Sequence, residues 1–223
     1  MPVVAVLNSK GGSGKTTSAL LLALAAADAG ASVVLLDADP NAPLVRWAEG
    51  GQTIPVVPVP TDSALVPAID REAAARDLVI IDVEGSANRM TSRALTRADL
   101  VLVPMQPSSL DADEARKTIL LIREEEGVQR RAIPFAILLV RTSKVASRDE
   151  RSIVKELDQK GIPRLRSMLV QRAAFAALFS KHTTLAGLDP REVSGLDQAR
   201  GNAAEFGTEV IAMLKAIVAR RAA

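Results

Sequence analysis

Near the start of the chain an apolar run, Val3-Val4-Ala5-Val6-Leu7, gives way to Lys10-Gly11-Gly12-Ser13-Gly14-Lys15-Thr16-Thr17, and an Ala/Leu-rich stretch then runs to Gly30. This order of buried strand, glycine-rich turn and helix opening on Lys-Thr constrains the fold more than any other feature. Glycines accept the backbone of the turn and let a ligand approach closely. Successive backbone N–H groups then point inward at the positive end of the following helix, a cradle for a phosphate chain. Lys15 is expected to reach the β- and γ-phosphates, and the Thr16 hydroxyl to ligate magnesium. Gly11, Gly12, Ser13, Gly14 and Thr17 complete the expected nucleotide-binding loop, with ATP/ADP and Mg2+ as ligands.

The rest of the chain repeats the strand-then-helix rhythm. Strands are expected at 32–36, 78–81, 100–103, 133–140 and near 165–170, with a short edge strand at 55–59, where prolines cannot donate to a ladder. Helices are expected at 17–29, from Asp62 or Ser63 to about 75, and at 111–124, 147–160, 173–180 and 202–220. Hydrophobic residues make up 48% of the chain but aromatics only 2%, so the core must be built from Ala, Val, Leu and Ile. The expected fold is therefore a single α/β domain over residues 1–223, a P-loop NTPase fold with a mostly parallel sheet and helices on both faces.

Right-handed crossovers put the loops after the strands along one rim, and the chemistry belongs there. Asp37-Ala38-Asp39-Pro40 follows the second strand, and two carboxylates beside a magnesium nucleotide suit water positioning and outer-shell metal contact. Asp39 is the candidate for orienting the attacking water; the alternative is that it caps the turn ahead of Pro40. Leu78-Val79-Ile80-Ile81-Asp82 is an apolar strand ending in the carboxylate needed to hold a magnesium-bound water, and Glu84 is an alternative catalytic base.

The second lysine of the loop, Lys10, makes the pattern resemble the deviant Walker A motif of the ParA/MinD ATPases. That resemblance implies that Lys10 reaches across a nucleotide-sandwich homodimer to the partner's phosphates, a role similar to an arginine finger. Asp39 is similar to the switch I aspartate of Asp-x-Asp-Pro-Gln, although Asn41 replaces the glutamine. Asp82 is similar to the Walker B aspartate, but Val83-Glu84-Gly85-Ser86 stands where most relatives have Pro-Pro; Gly85 is still expected to offer its N–H to the γ-phosphate. The resemblance covers roughly residues 3–180 and includes Leu44 to Trp47 with Glu49, the run Asp99 to Pro104, Pro107-Ser108, Leu110-Asp111, and Gln171-Arg172 with Phe175. These details favour small partition ATPases such as ParF and related DNA-transfer ATPases. In relatives the position of Arg141-Thr142 contacts adenine; a solvated loop arginine is the other reading.

The resemblance implies an ATPase, weak until stimulated, that dimerises with ATP, binds DNA non-specifically and is triggered by a ParB-like or other centromere-binding partner. Charge agrees with a polyanionic partner: residues 1–129 hold 11 basic and 17 acidic side chains, a net of −6, and residues 130–223 hold 17 and 9, a net of +8. Arg164, Arg166, Arg172, Lys181, Arg220 and Arg221 are the candidate DNA contacts. No room is seen before Val3 for a helix-turn-helix domain, so autorepression is not expected.

Absence of cysteine excludes disulfides, thiolate zinc sites and iron–sulfur reductases. The lack of a basic leader or a 20-residue apolar run predicts a cytoplasmic, nucleoid-associated protein with no membrane partner. Two rivals remain. A MinD-like membrane-positioning ATPase would use an amphipathic C-terminal helix, and Phe206, Val210, Met213, Leu214, Ile217 and Val218 do recur at helical spacing. A metabolic ATP-dependent ligase on the same fold would need a substrate pocket. The lone histidine, His182, is read as a surface or capping residue and Trp47 as packing.

Overall fold

The computed structural model describes residues 1–84 and 89–222. Among these, seven strands form one all-parallel sheet: β1 (Val3–Val6), β2 (Val33–Ala38), β3 (Val56–Pro58), β4 (Leu78–Val83), β5 (Leu100–Met105), β6 (Phe135–Thr142) and β7 (Leu169–Val170), in the order β3-β2-β4-β1-β5-β6-β7. The helices are α1 (Lys15–Asp28), α2 (Pro43–Ala48), α3 (Asp62–Ala75), α4 (Arg89–Arg97), α5 (Ser109–Gln129), α6 (Arg148–Gln159), α7 (Ala173–Ser180) and α8 (Leu196–Ala222).

Strand alternation divides the interior into two cores. Val4, Val6, Leu35, Ile80, Leu102 and Leu138 face α1, α7 and α8, while Val3, Ala5, Val34, Ile81, Val101 and Ile137 face α3, α4, α5 and α6. The central strands are buried on both faces, which is why they read as unbroken apolar runs. Strands are added to one side of β1 (β2 to β4) and then to the other (β5 to β7), so the loop after β1 opens at the topological switch point, where open α/β sheets bind ligands.

The expected sheet and two-faced helix layers are present, with three departures. Helices α2 and α4 were not anticipated: α2 is six residues long and exists because Pro43 opens it and a buried carboxylate caps it, as described below. The expected 165–170 strand is interrupted: Leu165 N donates to Ile137 O and Leu169–Val170 pairs with the end of β6, but between them the amides of Arg166 and Ser167 donate to the Glu209 carboxylate instead. The last helix begins at Leu196, before the expected 202, and Asn202 lies inside it bracing β7: its Oδ1 accepts from Val170 N and its Nδ2 donates to Met168 O.

The apolar stripe of α8 lies against the core. Phe206, Val210 and Leu214 are buried, Met213 and Ile217 pack beside them, and a Cβ at Gly207 would stand 2.2 Å from Ala25 Cβ, so α1 and α8 cross closely. No described helix is long and apolar enough to cross a membrane. Trp47 is buried, with Nε1 donating to Thr183 O at 2.8 Å, and His182 is half-buried.

A candidate nucleotide site at the switch point

The loop from Asn8 to Thr16 is held in shape from outside. Asn8 is buried; its Nδ2 donates to Pro104 O at 2.7 Å and its Oδ1 accepts from Lys10 N at 2.8 Å, tying the loop to β5. Ser9 N donates to Thr118 Oγ1, and Ser9 Oγ reaches Glu114, which bolts the loop to α5. Gly12 and Gly14 take positive φ (71° and 93°), with Gly14 as the N-cap of α1. A side chain at Gly14 would also press on Val140 Cγ2 at 3.2 Å, so the loop rests on the end of β6. The α1 N-terminus has no side-chain cap, which leaves its amides for a ligand.

An open cleft of about 520 Å³ lies over this loop. Gly11, Gly12, Gly14, Lys15, Thr16 and Thr17 line its floor, and Asp39, Glu84 and Arg141 stand at its walls. Lys15 is buried, its ammonium donating to Lys10 O at 3.1 Å; burial lowers its pKa, and the carboxylates Asp82, Asp39 and Glu84 act against that shift. Ser13 is fully buried and its Oγ has no partner among the described residues.

Three carboxylates meet here in different states. Asp37 and Asp82 are in register on neighbouring strands. Asp37 Oδ2 accepts from Leu44 N at 2.8 Å and Val45 N at 3.0 Å, so it caps α2. Asp82 is buried at 1% exposure, and neither of its oxygens has a hydrogen-bond partner among the described residues. Burial pushes its pKa up to about 7; the nearby Thr16 hydroxyl and Lys15 ammonium offset this only in part, and Asp37 and Asp39 add to it. Asp39 is half-buried, and its Oδ1 accepts from Asn41 N and Nδ2 at 2.8 and 3.0 Å, the turn-capping arrangement, while its backbone carbonyl accepts from Ala42 N. The donor set fits a hydrated Mg2+: a buried carboxylate with no donor of its own, facing a threonine hydroxyl, is the pattern such an ion completes.

Lys10 points elsewhere. Its ammonium is 2.7 Å from Asp111 Oδ2, with Lys10 36% exposed and Asp111 only 3%. Asp111 in turn receives the Ser108 hydroxyl at 2.7 Å, and its own amide donates back to Ser108 Oγ at the N-terminus of α5. That Ser-x-x-Asp cap is visible in the sequence; its grip on Lys10 is not.

Arg141 interrupts the β6–β7 ladder in the left-handed region (φ 52°), where pairing shifts between Val140 and Thr142. The bulge turns its side chain into the wall of the cleft and of an adjoining pocket of about 270 Å³. Gly14, Thr17, Gln171, Arg172 and Phe175 also line that pocket, and Arg172 Nε is buried there without a partner among the described residues. Thr142 faces a different groove, against α6. Gly85 lies outside the described residues.

Of the expected DNA contacts, Arg164 is chelated by Asp158 at 2.8 and 2.9 Å, Lys181 is paired with Glu192, and Arg172 lines the pocket just described. Arg166 and Arg220 are exposed and lack an ion pair among the described residues; the Arg221 side chain lies outside them. Sequence reasoning missed the bracing role of Asn8, the Asp111 latch and the placement of Arg172.

The VirC1 protein family model matches residues 1–193. The chain is 40% identical over 183 residues to Protein ParA of Rhizobium radiobacter, spanning 80% of this chain and 82% of that protein. In structure it is similar to a Cyanothece McdA complex with ATP (TM-score 0.71, 15% identity, 94% of this chain and 96% of that one) and to the MinD cell division protein of Aquifex aeolicus (TM-score 0.70, 15% identity, 95% and 98%). With the glycine loop, its lysines and the rim carboxylates in the places described, the chain belongs to the ParA/MinD-type P-loop ATPases of partition and positioning, within the VirC1 family.

Proposed function

We propose that this protein is an ATP-driven dimerising switch that positions DNA or a DNA-borne cargo, hydrolysing ATP to ADP and phosphate slowly until a ParB-like or other centromere-binding partner stimulates it. The observation that carries the reading is the division of labour between the two lysines. Lys15 lies inside the cleft among carboxylates, whereas Lys10 leans out over a buried aspartate, half available to a second protomer. A lysine serving only its own loop would have no reason to be held away from it. Release of Lys10 from Asp111 would let its charge meet the phosphates of the facing site.

Within one site, Lys15 and the loop amides would bind the phosphates, Thr16 and Asp82 would hold the magnesium ion, and Asp39 would orient water for in-line attack on the γ-phosphorus. Bound magnesium would neutralise phosphate charge developing at the β–γ bridge. Asp39 keeps one oxygen engaged by Asn41, which fixes the carboxylate's orientation. Arg141, Gln171 and Arg172 are suited to the base and ribose in the adjoining pocket, and the unpaired Arg172 Nε there favours a ligand acceptor.

Two measurements test this. Mobility of random-sequence duplex DNA with the protein in ATP, ADP and no nucleotide, at two salt concentrations, should show ATP-dependent, salt-sensitive binding, and anionic liposomes should not compete. Sedimentation of Asp39→Ala in saturating ATP and magnesium should show a persistent dimer; a monomer would sink the switch. Lys15→Ala should abolish nucleotide binding in both.

A further inference from the structure

Two of the C-terminal cations expected to meet DNA, Arg164 and Lys181, are already neutralised by neighbouring acids. A different set is not. A groove of about 730 Å³ between α6 and the end of β6 is walled by Lys144, Arg151 and Lys155. Its acids are engaged: Glu150 is buried, accepting from Ser143 N at 2.6 Å and Ser147 N at 2.7 Å, and Asp158 is chelated by Arg164. None of the three cations has an ion pair among the described residues; Arg151 makes one hydrogen bond, to Ala146 O.

The charges on α6 are sorted by flank. Ile153 and Leu157 mark the buried face. Arg148, Arg151 and Lys155 recur at i, i+3 and i+7, so they share one flank, and two of them are the groove wall. Asp149 and Glu156, also seven apart, share another flank, where Glu156 is paired with Lys160 at 2.6 Å. Lys144 extends the cationic flank through the β6–α6 loop, which follows the end of β6 that carries Arg141 at the nucleotide cleft. The result is a ridge of four exposed, unpaired cations running about 10 Å along the helix axis plus the loop.

We propose that this ridge, Lys144, Arg148, Arg151 and Lys155, is where the phosphate backbone of duplex DNA docks. The assignment rests on the DNA-binding part of the function proposed above. A row of exposed, unpaired cations with no aromatic among them suits sequence-independent phosphate contact. A lipid surface would call for several apolar side chains to insert, and the ridge offers only Val145, 82% exposed.

The test uses the full chain with magnesium and ATP. The triple variant Lys144→Glu/Arg148→Glu/Lys155→Glu is compared with a charge-matched control, Lys181→Glu/Lys215→Glu/Arg220→Glu, for binding to random-sequence duplex DNA over a salt series. The ridge variant should lose at least about tenfold in affinity, with a salt slope lower by about 2–3, while ATP affinity stays at the wild-type value. The control should lose less than about threefold. The Lys144→Gln/Arg148→Gln/Lys155→Gln variant, checked by thermal melting, should fall between wild type and the ridge variant. If the wild type binds DNA and the ridge variants bind as well as it does, or the control loses as much, the ridge is overturned while DNA binding stands. If the wild type itself binds no DNA in ATP, the broader reading fails. Ridge-dependent capture by phosphatidylglycerol vesicles without DNA binding would overturn the assignment to nucleic acid.

Discussion

Asp37 and Asp82 are the same residue type, in register on adjacent strands of one sheet, yet their surroundings are opposite. Both are buried, and burial raises the pKa of both. Asp37 has its carboxylate filled by the Leu44 and Val45 amides, and Asp39 N lies 3.3 Å from its second oxygen. Asp82, one strand nearer the glycine loop, has the Thr16 hydroxyl nearby but no hydrogen bond to either oxygen among the described residues. A buried carboxylate without partners is unfavourable by several kcal/mol in general, and a fold keeps one only where another requirement outweighs that. The contrast separates an aspartate that builds the site from one that serves its ligand.

The largest expected effect breaks the pair at Asp82. Asp82→Asn keeps the shape but not the charge, so magnesium-dependent ATP hydrolysis should fall by about 10–100-fold, the usual range for groups that orient a metal's ligands. The ligand-free protein should at the same time melt higher than wild type at pH 8, because the unpaired charge is gone. Hydrolysis rates together with thermal melts in EDTA check both halves. A variant that loses stability as well as activity would assign Asp82 to the scaffold.

Asp37→Ala should do the reverse. Two amides at the start of α2 lose their acceptor, one of them the buried Leu44 N, and stability should drop by about 2 kcal/mol. Trp47 is the chain's one tryptophan, sits in α2 and is fully buried, so its fluorescence should report that loss directly. Urea unfolding followed at Trp47 gives the number, and nucleotide affinity measured well below the new midpoint should change far less.

The same contrast shows what could be read from the chain. The glycine loop, the parallel sheet and Asp82 at the end of its strand were legible because each depends on local order: apolar runs of strand length, then the residue types a phosphate cradle needs. The roles of Asp37 and Asp111 were not, since both carboxylates are spent on partners set by tertiary placement, a six-residue helix in one case and Lys10 in the other. Arg172 was grouped with surface cations for its charge, but the turn from β7 into α7 brings it to the pocket wall. The strand expected at 165–170 shrank because Glu209, some forty residues onward, takes its amides. Charge and hydropathy state what a residue can do; the partner it finds depends on distant chain.

A pH series sharpens the Asp82 assignment. Its folded-state pKa, pushed up to about 7 by burial, lies well above the ordinary carboxylic acid range, so the folded ligand-free protein binds this proton more tightly than the unfolded chain does. The carboxyl's burial is therefore best tolerated at low pH, and its contribution to stability declines as pH rises from about 4 to about 7. In EDTA, the stability of wild type relative to Asp82→Asn should fall over that window by at most about 1.4 kcal/mol per pH unit and level off above it. A constant difference between the two proteins from pH 5 to 8 would mean that the carboxylate is solvated or paired in solution.

The smallest effect concerns Arg141, whose conformation is unfavourable for the fold in the way Asp82's charge is. A non-glycine residue at φ 52° carries about 1 kcal/mol of backbone strain, and the bulge that imposes it sets the exposed side chain at the wall of the nucleotide cleft. Arg141→Gly should relieve that strain and raise the stability of the ligand-free protein by up to about 1 kcal/mol, while weakening ATP binding because the guanidinium is lost. Arg141→Lys keeps the strain and a charge, so it should leave stability unchanged and recover part of the affinity. Calorimetric binding paired with thermal melts separates the outcomes: stability and affinity moving in opposite directions in the glycine variant would place Arg141 with Asp82, and a loss of both would place it with Asp37.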